Sequence, residues 1–545
     1  MSAVRTADQV LRELEERLAS DDPLEVLALI PAERDGGATD IALDVATAAI
    51  CCEIGRSREA RDAGARAVAA ARRLDDRAWV GRSVAVAAWN CWVEADPSTA
   101  IQLARRARTE AGDDPWTNGL TRLVLADHAR RTGDLGGALQ LLTELGDPSD
   151  EVSPWFGGLA EVARIEVLTA TGDLDGSRRV LEQAFSRTDP YRRVIHAWLV
   201  VALADLARAA GDEEGGRQAV DTEIAQLEGT CCASLGELLA LRGWFHQQAG
   251  ELEDAADQLQ RSVGVFDRLA NASRHGTRMS LALVHLLSGH PNLAARLLDE
   301  IPVRAVPAEQ IAPLRAALAA AEGDVRRWAA HHERAHQFMV GARTGSEEQA
   351  LALRFAGERW ASRGGQENRR RAFRARTLAL HHWERLARPV DATAELRELR
   401  LLGKVGVPVP AGPYDLLSML GAGAMGEVWL GRHVVHDAEV AVKLLRMDAT
   451  QDDFLRSSFD AEHRAIAALE HPGIVHILGH GVLDSAAAIA GKPQQVGAPW
   501  FAMELVRGGT LQDVCGRLRW SACRGILTGL LDALAHANAR DVLHL

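Results

Sequence analysis

The sequence predicts a multidomain protein, in which an all-α superhelical solenoid of repeated helix pairs is followed by a smaller α+β domain. Residues 1–402 show an almost continuous amphipathic helical pattern, with short Gly, Asp or Pro turns and glycines at a constant interval. The proline-rich stretch from Val405 to Pro413 cannot continue a helix. Beyond it, short apolar runs separated by glycine and polar turns indicate strands.

The helical repeats have a step of 39 residues. One position of the step is occupied by Gly55, Gly133, Gly172, Gly211, Gly250 and Gly289, with Glu94 at the place between the first two. The residues ten positions earlier are apolar, and those nine positions later are mostly leucine. This pattern predicts a helix, a glycine-centred turn and a second helix in each unit. Because a single unit cannot bury its own apolar face, the units are expected to stack into a continuous core.

These units resemble the tetratricopeptide class, although their step is longer than the usual 34 residues and the usual Trp, Tyr and Pro landmarks are absent. We therefore describe them as TPR-like. The repeats are clearest between about residues 40 and 300, and residues 300–400 are expected to be degenerate repeats or a cap. The resemblance implies a concave face that binds a protein substrate or a regulatory partner. Residues 403–413 are expected to be the linker to the second domain, residues 414–545.

The second domain opens with a glycine-rich turn between two predicted strands. The glycines are Gly421, Gly423 and Gly426, and the following strands carry Val428 and Lys443. Dinucleotide-binding folds use the same glycine string, but there the third glycine opens a helix, whereas here it precedes another strand. Glycines let backbone amides approach phosphate oxygens, and a lysine on a later strand supplies a fixed positive charge.

These motifs resemble those of the protein kinases, specifically the bacterial serine/threonine kinases of eukaryotic type. The resemblance implies a kinase small lobe, followed by the start of the large lobe, that binds ATP. It implies that Lys443 and Glu462 are the catalytic pair of this lobe, and that Met503 is the gatekeeper behind the adenine. The implied nucleotide contacts are Leu420, Gly421, Gly423, Gly426, Val428, Ala441, Lys443, Met503 and the backbone of Glu504 and Val506.

The same resemblance aligns His544 with the histidine of the family's catalytic loop and Leu545 with its arginine. The catalytic aspartate and the Mg²⁺ ligands are then expected beyond Leu545, so the chain as given is expected to be inactive. The predicted function is transfer of the ATP γ-phosphate to protein Ser or Thr, with the helical repeats as a protein-interaction region. Two alternatives stay open, namely an ATP-binding pseudokinase and a solenoid scaffold or adaptor protein.

Other motifs are interpreted as parts of the helical framework. The sequence from His332 to His336 matches HExxH, but Arg334 and the lack of a third ligand nearby favour a solvated repeat helix over a zinc site. An arginine cluster is interpreted as an exposed helix face because the net charge is −13 and Phe373 is the one aromatic residue within it. The cluster comprises Arg363, Arg369, Arg370, Arg371, Arg374 and Arg376.

Composition favours a cytoplasmic protein without nucleic-acid or membrane partners. The amino-terminal residues are charged and helical, unlike a secretory signal, and no apolar stretch reaches the about 18 residues that a spanning helix needs. The 7 cysteines include no CxxC and are expected to be small reduced helix residues.

Overall fold

The computed structural model describes residues 6–20, 23–30, 37–94, 96–145, 153–187, 193–227, 229, 232–269, 271, 273–303, 305–341, 345–386, 388–403, 408–423, 426–445, 469, 471–483, 497–514, 518–540 and 542. Contacts divide the chain into two compact units, Met1–Pro307 (unit 1) and Ala308–Leu545 (unit 2). The described part of unit 1 is helical, and that of unit 2 contains helices followed by an antiparallel sheet.

The helices of unit 1 are α1 (Ala7–Ser20), α2 (Pro23–Ala28), α3 (Ala38–Glu53), α4 (Ser57–Arg73), α5 (Arg77–Val93), α6 (Pro97–Ala111), α7 (Pro115–Arg131), α8 (Leu135–Thr143), α9 (Pro154–Thr171), α10 (Leu174–Arg187), α11 (Arg193–Ala210), α12 (Glu213–Gln226), α13 (Ala233–Gln248), α14 (Leu252–Arg268), α15 (Ser273–Leu287) and α16 (Pro291–Asp299). From α3 onward they form consecutive helix pairs, in which the two members pack against each other.

The glycines that recur at the step of 39 residues, which we call the glycine ladder, lie at the turns within these pairs. Gly55, Gly133, Gly172, Gly211, Gly250 and Gly289 all have φ between 71° and 83°. Glycine adopts this left-handed conformation without the strain that a side chain would bring. Glu94 ends α5 with φ −77°, so this turn is made with a different backbone. The predicted units of helix, turn and second helix are therefore present in the structure.

A cap follows the glycine in three of these turns, and the sequence analysis did not identify it. The aspartate after the glycine accepts a hydrogen bond from the amide three residues later, which satisfies a donor at the start of the second helix. The pairs are Asp134 with Gly137, Asp173 with Gly176, and Asp212 with Gly215. The recipient in each of these three pairs is a glycine.

The first helices of the pairs pack in order along unit 1. Contacts run from α3 to α5, then to α7, α9, α11 and α13. The turn after α3 also meets the end of α14, since a Cβ on Gly55 would lie 1.2 Å from the carbonyl oxygen of Leu269. Ile54 and Leu269 accordingly share one buried cluster. Within unit 1 the row of helix pairs therefore curls back onto itself.

Unit 2 begins with helices α17 (Ala308–Glu322), α18 (Val325–Gly341), α19 (Glu347–Ser362), α20 (Gln366–Arg385) and α21 (Pro389–Gly403). Strands β1 (Val409–Ala411), β2 (Tyr414–Gly423), β3 (Gly426–His433), β4 (Glu439–Leu445), β5 (Ile477–Val482) and β6 (Pro499–Glu504) follow, then a short 3₁₀ helix (Leu511–Val514) and α22 (Trp520–Asn538). The strand order is β1-β2-β3-β4-β6-β5, and all neighbours are antiparallel. Part of the predicted linker thus forms β1, and the domain boundary near residue 402 stays a prediction.

One face of the sheet carries a buried core. It contains Val409, Ala411, Tyr414, Leu416, Val440, Val442, Leu444, Leu483, Ala498, Trp500 and Ala502. Alternate residues of β4 and β6 supply this core, so the residues between them point to the other face. We call that other face the open face.

Helix α20 is joined to the β1–β2 turn through a buried ion pair. The Arg374 guanidinium donates to Asp415 from Nε at 3.0 Å and to the Gly412 carbonyl at 3.0 Å. The two charged side chains are 6% and 15% exposed. The pKa of the nearby His433 is lowered to about 4, mainly by burial and further by the positive charges of His436 and Arg374.

Two interpretations of the helical framework need correction. Arg374 and Arg376 are buried, so they do not belong to an exposed helix face, and Arg376 pairs with Glu395 at 2.8 Å. His332 is also buried, with its ring 4.9 Å from the Trp328 ring, so its part of α18 is not solvated. Within the described residues, the group close enough to hold a metal ion is instead His246, Glu251 and Asp254. None of the described helices is long and apolar enough to cross a membrane.

Candidate nucleotide site

The sheet register brings the predicted nucleotide residues into two rows. Gly421 is opposite Val428, Val428 is opposite Lys443, and Lys443 is opposite Phe501. Directly opposed residues of antiparallel strands point to the same face, and this row lies on the open face. The neighbouring row on that face holds Leu430, Ala441 and Met503.

The three glycines of the turn between β2 and β3 serve two purposes. Gly426 is buried with φ +142°, and a Cβ there would lie 1.9 Å from the Leu444 carbonyl oxygen. A side chain at this position would therefore push β3 away from β4. A Cβ on Gly421 or Gly423 would meet nothing within 4 Å. Their lack of a side chain leaves the backbone accessible, as phosphate binding by amides requires. Residues 424 and 425 lie outside the described residues.

Lys443 lies in the middle of the open face. Its ammonium is 5.7 Å from the centroid of the Phe501 ring, within the range of a cation–π contact. Val428 lies opposite it on the other neighbouring strand. The predicted partner Glu462 lies outside the described residues, as do His544 and Leu545. The Lys443–Glu462 pair therefore stays a prediction.

Strand β6 ends with Met503, the predicted gatekeeper, and Glu504. The Glu504 amide donates to the His476 carbonyl at 3.1 Å, and the Glu504 carboxylate accepts from the His476 amide at 3.0 Å. The Glu504 amide is thus engaged, and a backbone contact from Glu504 to a ligand would come from its carbonyl oxygen. Val506 is 69% exposed, and the next residue, Arg507, pairs with Glu439 at the start of β4. This ion pair is largely exposed on the Arg507 side, so it contributes little to holding the segment after β6 against the sheet.

A histidine before β5 contacts α22, and the sequence analysis did not find this contact. His471 Nε2 lies 3.3 Å from a carboxylate oxygen of Asp532, and His471 Nδ1 accepts from the Gly473 amide at 3.0 Å. The signal was present as the His-Pro pair at 471–472, but its partner is 61 residues away. The contact joins the sheet to a helix that exposes Trp520, Leu527, Leu530, Leu531 and Leu534.

The donor set on the open face fits a nucleotide. It combines accessible glycine backbone, one fixed cation at Lys443, and small or apolar side chains at Ala441, Val428 and Met503. Phosphates need the first two features, and an adenine ring needs a flat apolar surface. Leu420, the remaining predicted contact, is half exposed beside the glycine turn.

Comparisons with known proteins agree with the motifs of this sheet. A family model described as protein tyrosine and serine/threonine kinase matches residues 414–532. The probable serine/threonine-protein kinase PknB of Bifidobacterium longum is 31% identical over 136 residues, which are 24% of this chain and 19% of that protein. The serine/threonine-protein kinase PrkC of Bacillus subtilis is 31% identical over 137 residues, 25% of this chain and 19% of that protein.

The kinase domain of Mycobacterium tuberculosis PknI, a crystal structure, is 31% identical over 24% of this chain and 50% of that chain, with a TM-score of 0.20. The sequence matches, and not this superposition, support the assignment. The chain spans about a fifth of the length of the curated relatives it matches. Residues 414–532 therefore resemble part of a bacterial serine/threonine kinase of eukaryotic type, which confirms the resemblance predicted from the motifs.

Proposed function

We propose, from this protein-kinase segment, that the chain belongs to a serine/threonine protein kinase that transfers the γ-phosphate of ATP to Ser or Thr hydroxyls of proteins. The observation that carries the proposal is the register that aligns Gly421, Val428 and Lys443 on the open face of the sheet. The matched family and the bacterial relatives support the same reaction.

In this proposal each part of the open face has one task. The backbone at Gly421 and Gly423 binds phosphate oxygens, and the Lys443 ammonium offsets their negative charge. Val428, Ala441 and Met503 form the apolar surface for the adenine ring. Glu462 orients Lys443. Bound ATP with Mg²⁺ supplies the phosphoryl group.

The helical region is proposed to bind a protein substrate or a regulatory partner of the kinase. Its helix pairs stack side by side, as in arrays that present an extended surface. A cytoplasmic location and a signalling role belong to the same proposal. The free cysteines Cys51 and Cys52, which are buried in α3, are compatible with a reducing compartment.

Titration of the chain with a fluorescent ATP analogue and Mg²⁺ tests nucleotide binding. Lys443→Met removes the cation and is expected to weaken binding by at least ~10-fold, which corresponds to about 1.4 kcal/mol. Arg432→Met is the matched control, because Arg432 is a partly exposed cation at the far end of β3. Equal affinities of the wild-type chain and Lys443→Met would contradict the proposed site.

A phosphoryl-transfer assay on the complete gene product distinguishes the alternatives. Transfer to a protein substrate that is lost in Lys443→Met supports the kinase. Nucleotide binding without transfer would favour the ATP-binding pseudokinase, and absence of both would favour the scaffold or adaptor protein.

A further inference from the structure

We propose that helix α1 is a displaceable ligand of unit 1, and that the surface it covers is the docking site for a partner helix of the same pattern. We call this surface the first-helix face; it is formed by α3, α5, α7, α9 and α11. The inference deepens the proposed protein-binding role of the helical region, and it is independent of the kinase reaction.

Helix α1 touches every helix of the first-helix face. It lies against α3, α9 and α11. Asp8 forms an ion pair with Arg82 of α5, and the Glu15 carboxyl accepts a hydrogen bond of 2.7 Å from Trp116 Nε1 of α7. Leu11, Leu14 and Leu18 belong to the same buried cluster as residues of α3, α5, α7 and α9.

These contacts require the face to curve around α1. A helix of 14 residues is about 21 Å long. Five helices packed side by side at about 8 to 10 Å would span roughly 32 to 40 Å if they lay flat. One short helix therefore reaches all five because they form a concave surface, as the close approach of Gly55 to Leu269 also indicates.

Helix α1 binds through one side only. Leu11, Leu14, Glu15 and Leu18 are buried, at spacings of three, four and seven residues from the first. Arg12 and Glu16 on the outer side are each about half exposed and pair with one another. An amphipathic helix in a groove has this arrangement. By contrast α3, which is part of the face, buries the consecutive residues from Ile41 to Ala46.

The buried carboxyl of Glu15 defines the chemistry that the face selects. Burial of a carboxyl is costly unless a donor satisfies it, and the Trp116 indole N–H supplies that donor. Burial raises the pKa of Glu15 to about 8. A partner is therefore expected to carry apolar residues at i, i+3 and i+7 and a glutamate at i+4. A helix with leucines alone would leave Trp116 Nε1 without its acceptor.

A labelled peptide with the sequence of residues 6–20 tests the site in the full chain. In wild-type protein the peptide competes with α1, whereas in Leu11→Ala/Leu18→Ala the covalent α1 is weakened and the face becomes available. The peptide is expected to bind the double variant at least ~10-fold more tightly than the wild type. Arg12→Ala/Glu16→Ala changes the outer side of α1 and is expected to match the wild type. A peptide with Leu11→Ala and Leu18→Ala is expected not to bind either protein.

Hydrogen exchange of the wild-type chain provides a second test that needs no folded variant. If α1 leaves as a unit, its amides exchange at least ~10-fold faster than those of α5 and α7, and saturating peptide increases their exchange further. Equal protection of α1 and α7, unchanged by the peptide, would show that α1 is a permanent part of the core. Peptide binding of the same strength to wild type and to a folded Leu11→Ala/Leu18→Ala chain would also overturn the proposal.

Discussion

The first helices of unit 1 and the strands of unit 2 differ in how their two sides are used. Helix α5 buries consecutive residues, from Trp79 to Gly81 and from Ser83 to Val86, because other helices cover it on both sides. Strand β4 buries Val440, Val442 and Leu444 on one side, whereas on the open face it buries the small Ala441 and leaves Lys443 partly exposed. Where both sides are covered, the sequence is almost uniformly small or apolar. Where one side is open, the alternation singles out the residues that are available to bind a ligand.

The largest expected effect concerns the charge of Arg374, which α20 buries against the β1–β2 turn. Arg374→Met would leave Asp415 and the Gly412 carbonyl without their donor and is expected to cost about 3 to 5 kcal/mol. Local opening free energies of β1 and β2 from native-state hydrogen exchange measure this loss.

The double variant Arg374→Met/Asp415→Asn is expected to recover part of that stability, because no buried charge then remains unpaired. Glu367→Gln is the control for the same helix. Its partner Arg370 is three residues away and Glu367 is largely exposed, so a change below about 0.5 kcal/mol is expected. Equal effects of Arg374→Met and Glu367→Gln would show that the buried pair does not hold the sheet.

A second experiment separates the two kinds of glycine in the turn between β2 and β3. Gly426→Ala forces a Cβ onto the Leu444 carbonyl at a strained φ and is expected to destabilise the sheet by about 3 kcal/mol. Gly421→Ala, which has open space, is expected to change stability by less than about 1 kcal/mol. Thermal unfolding of the full chain compares the two variants, and similar midpoints would show that Gly426 is not structurally required.

In the helical region, the docking of α1 is expected to depend on pH through the carboxyl of Glu15. Burial raises the pKa of Glu15 to about 8, against the lowering effects of the Trp116 and Ser153 hydrogen bonds and the Arg82 and Arg12 charges. A raised pKa means that the docked state favours the protonated carboxyl. Docking is therefore strongest below about pH 4.5, the ordinary value, and is lost as the pH rises through about 8.

Between pH 5 and pH 9 the opening free energy of α1 is expected to fall by on the order of 2 kcal/mol. This is less than the full linkage value, because each unit of pKa shift corresponds to at most about 1.4 kcal/mol. Glu15→Gln keeps an acceptor for Trp116 and is expected to abolish most of this slope, whereas the exposed Glu16→Gln keeps it. Hydrogen exchange of the α1 amides at several pH values, corrected for intrinsic rates, measures the slope. A slope unchanged in Glu15→Gln would assign it to other groups.

The smallest expected effect concerns the caps that begin the second helices. Asp173→Ala removes the acceptor of the Gly176 amide and is expected to cost about 1 kcal/mol. Asp175→Ala, in the exposed first turn of the same helix, is expected to cost about 0.3 kcal/mol. Exchange of the Gly176 amide distinguishes them, since Asp173→Ala alone removes the bond to it.

Local requirements explain what could be predicted from the sequence. The ladder that includes Gly172 was visible because left-handed turns need glycine at a fixed place in each unit. The pairing of Val428 with Lys443 on one face could be predicted, because strand alternation and the glycine motif both indicate these residues as ligand contacts. The caps at Asp134, Asp173 and Asp212 were equally regular, and the recurring Gly-Asp pair could have revealed them.

Distant contacts explain what could not be predicted. Arg374 was interpreted as exposed because its partner Asp415 is 41 residues away, beyond a predicted linker. Glu15 meets Trp116 across 101 residues, and nothing in the repeat pattern distinguishes that tryptophan from its neighbours. An amphipathic helix such as α1 shows in sequence that it covers something, but the surface it covers is set by the curvature of the stacked units.

The meeting of Gly55 with the Leu269 carbonyl restricts how this protein can evolve. An open array of helical repeats tolerates the gain or loss of one unit, because each unit contacts only its neighbours. Here, removing or duplicating one 39-residue segment between α4 and α13 would shift Leu269 relative to Gly55, so that the two backbones no longer meet. The contact between these two backbone segments therefore constrains the number of repeats between them, and length variation among descendants of this gene is expected outside α4 to α13.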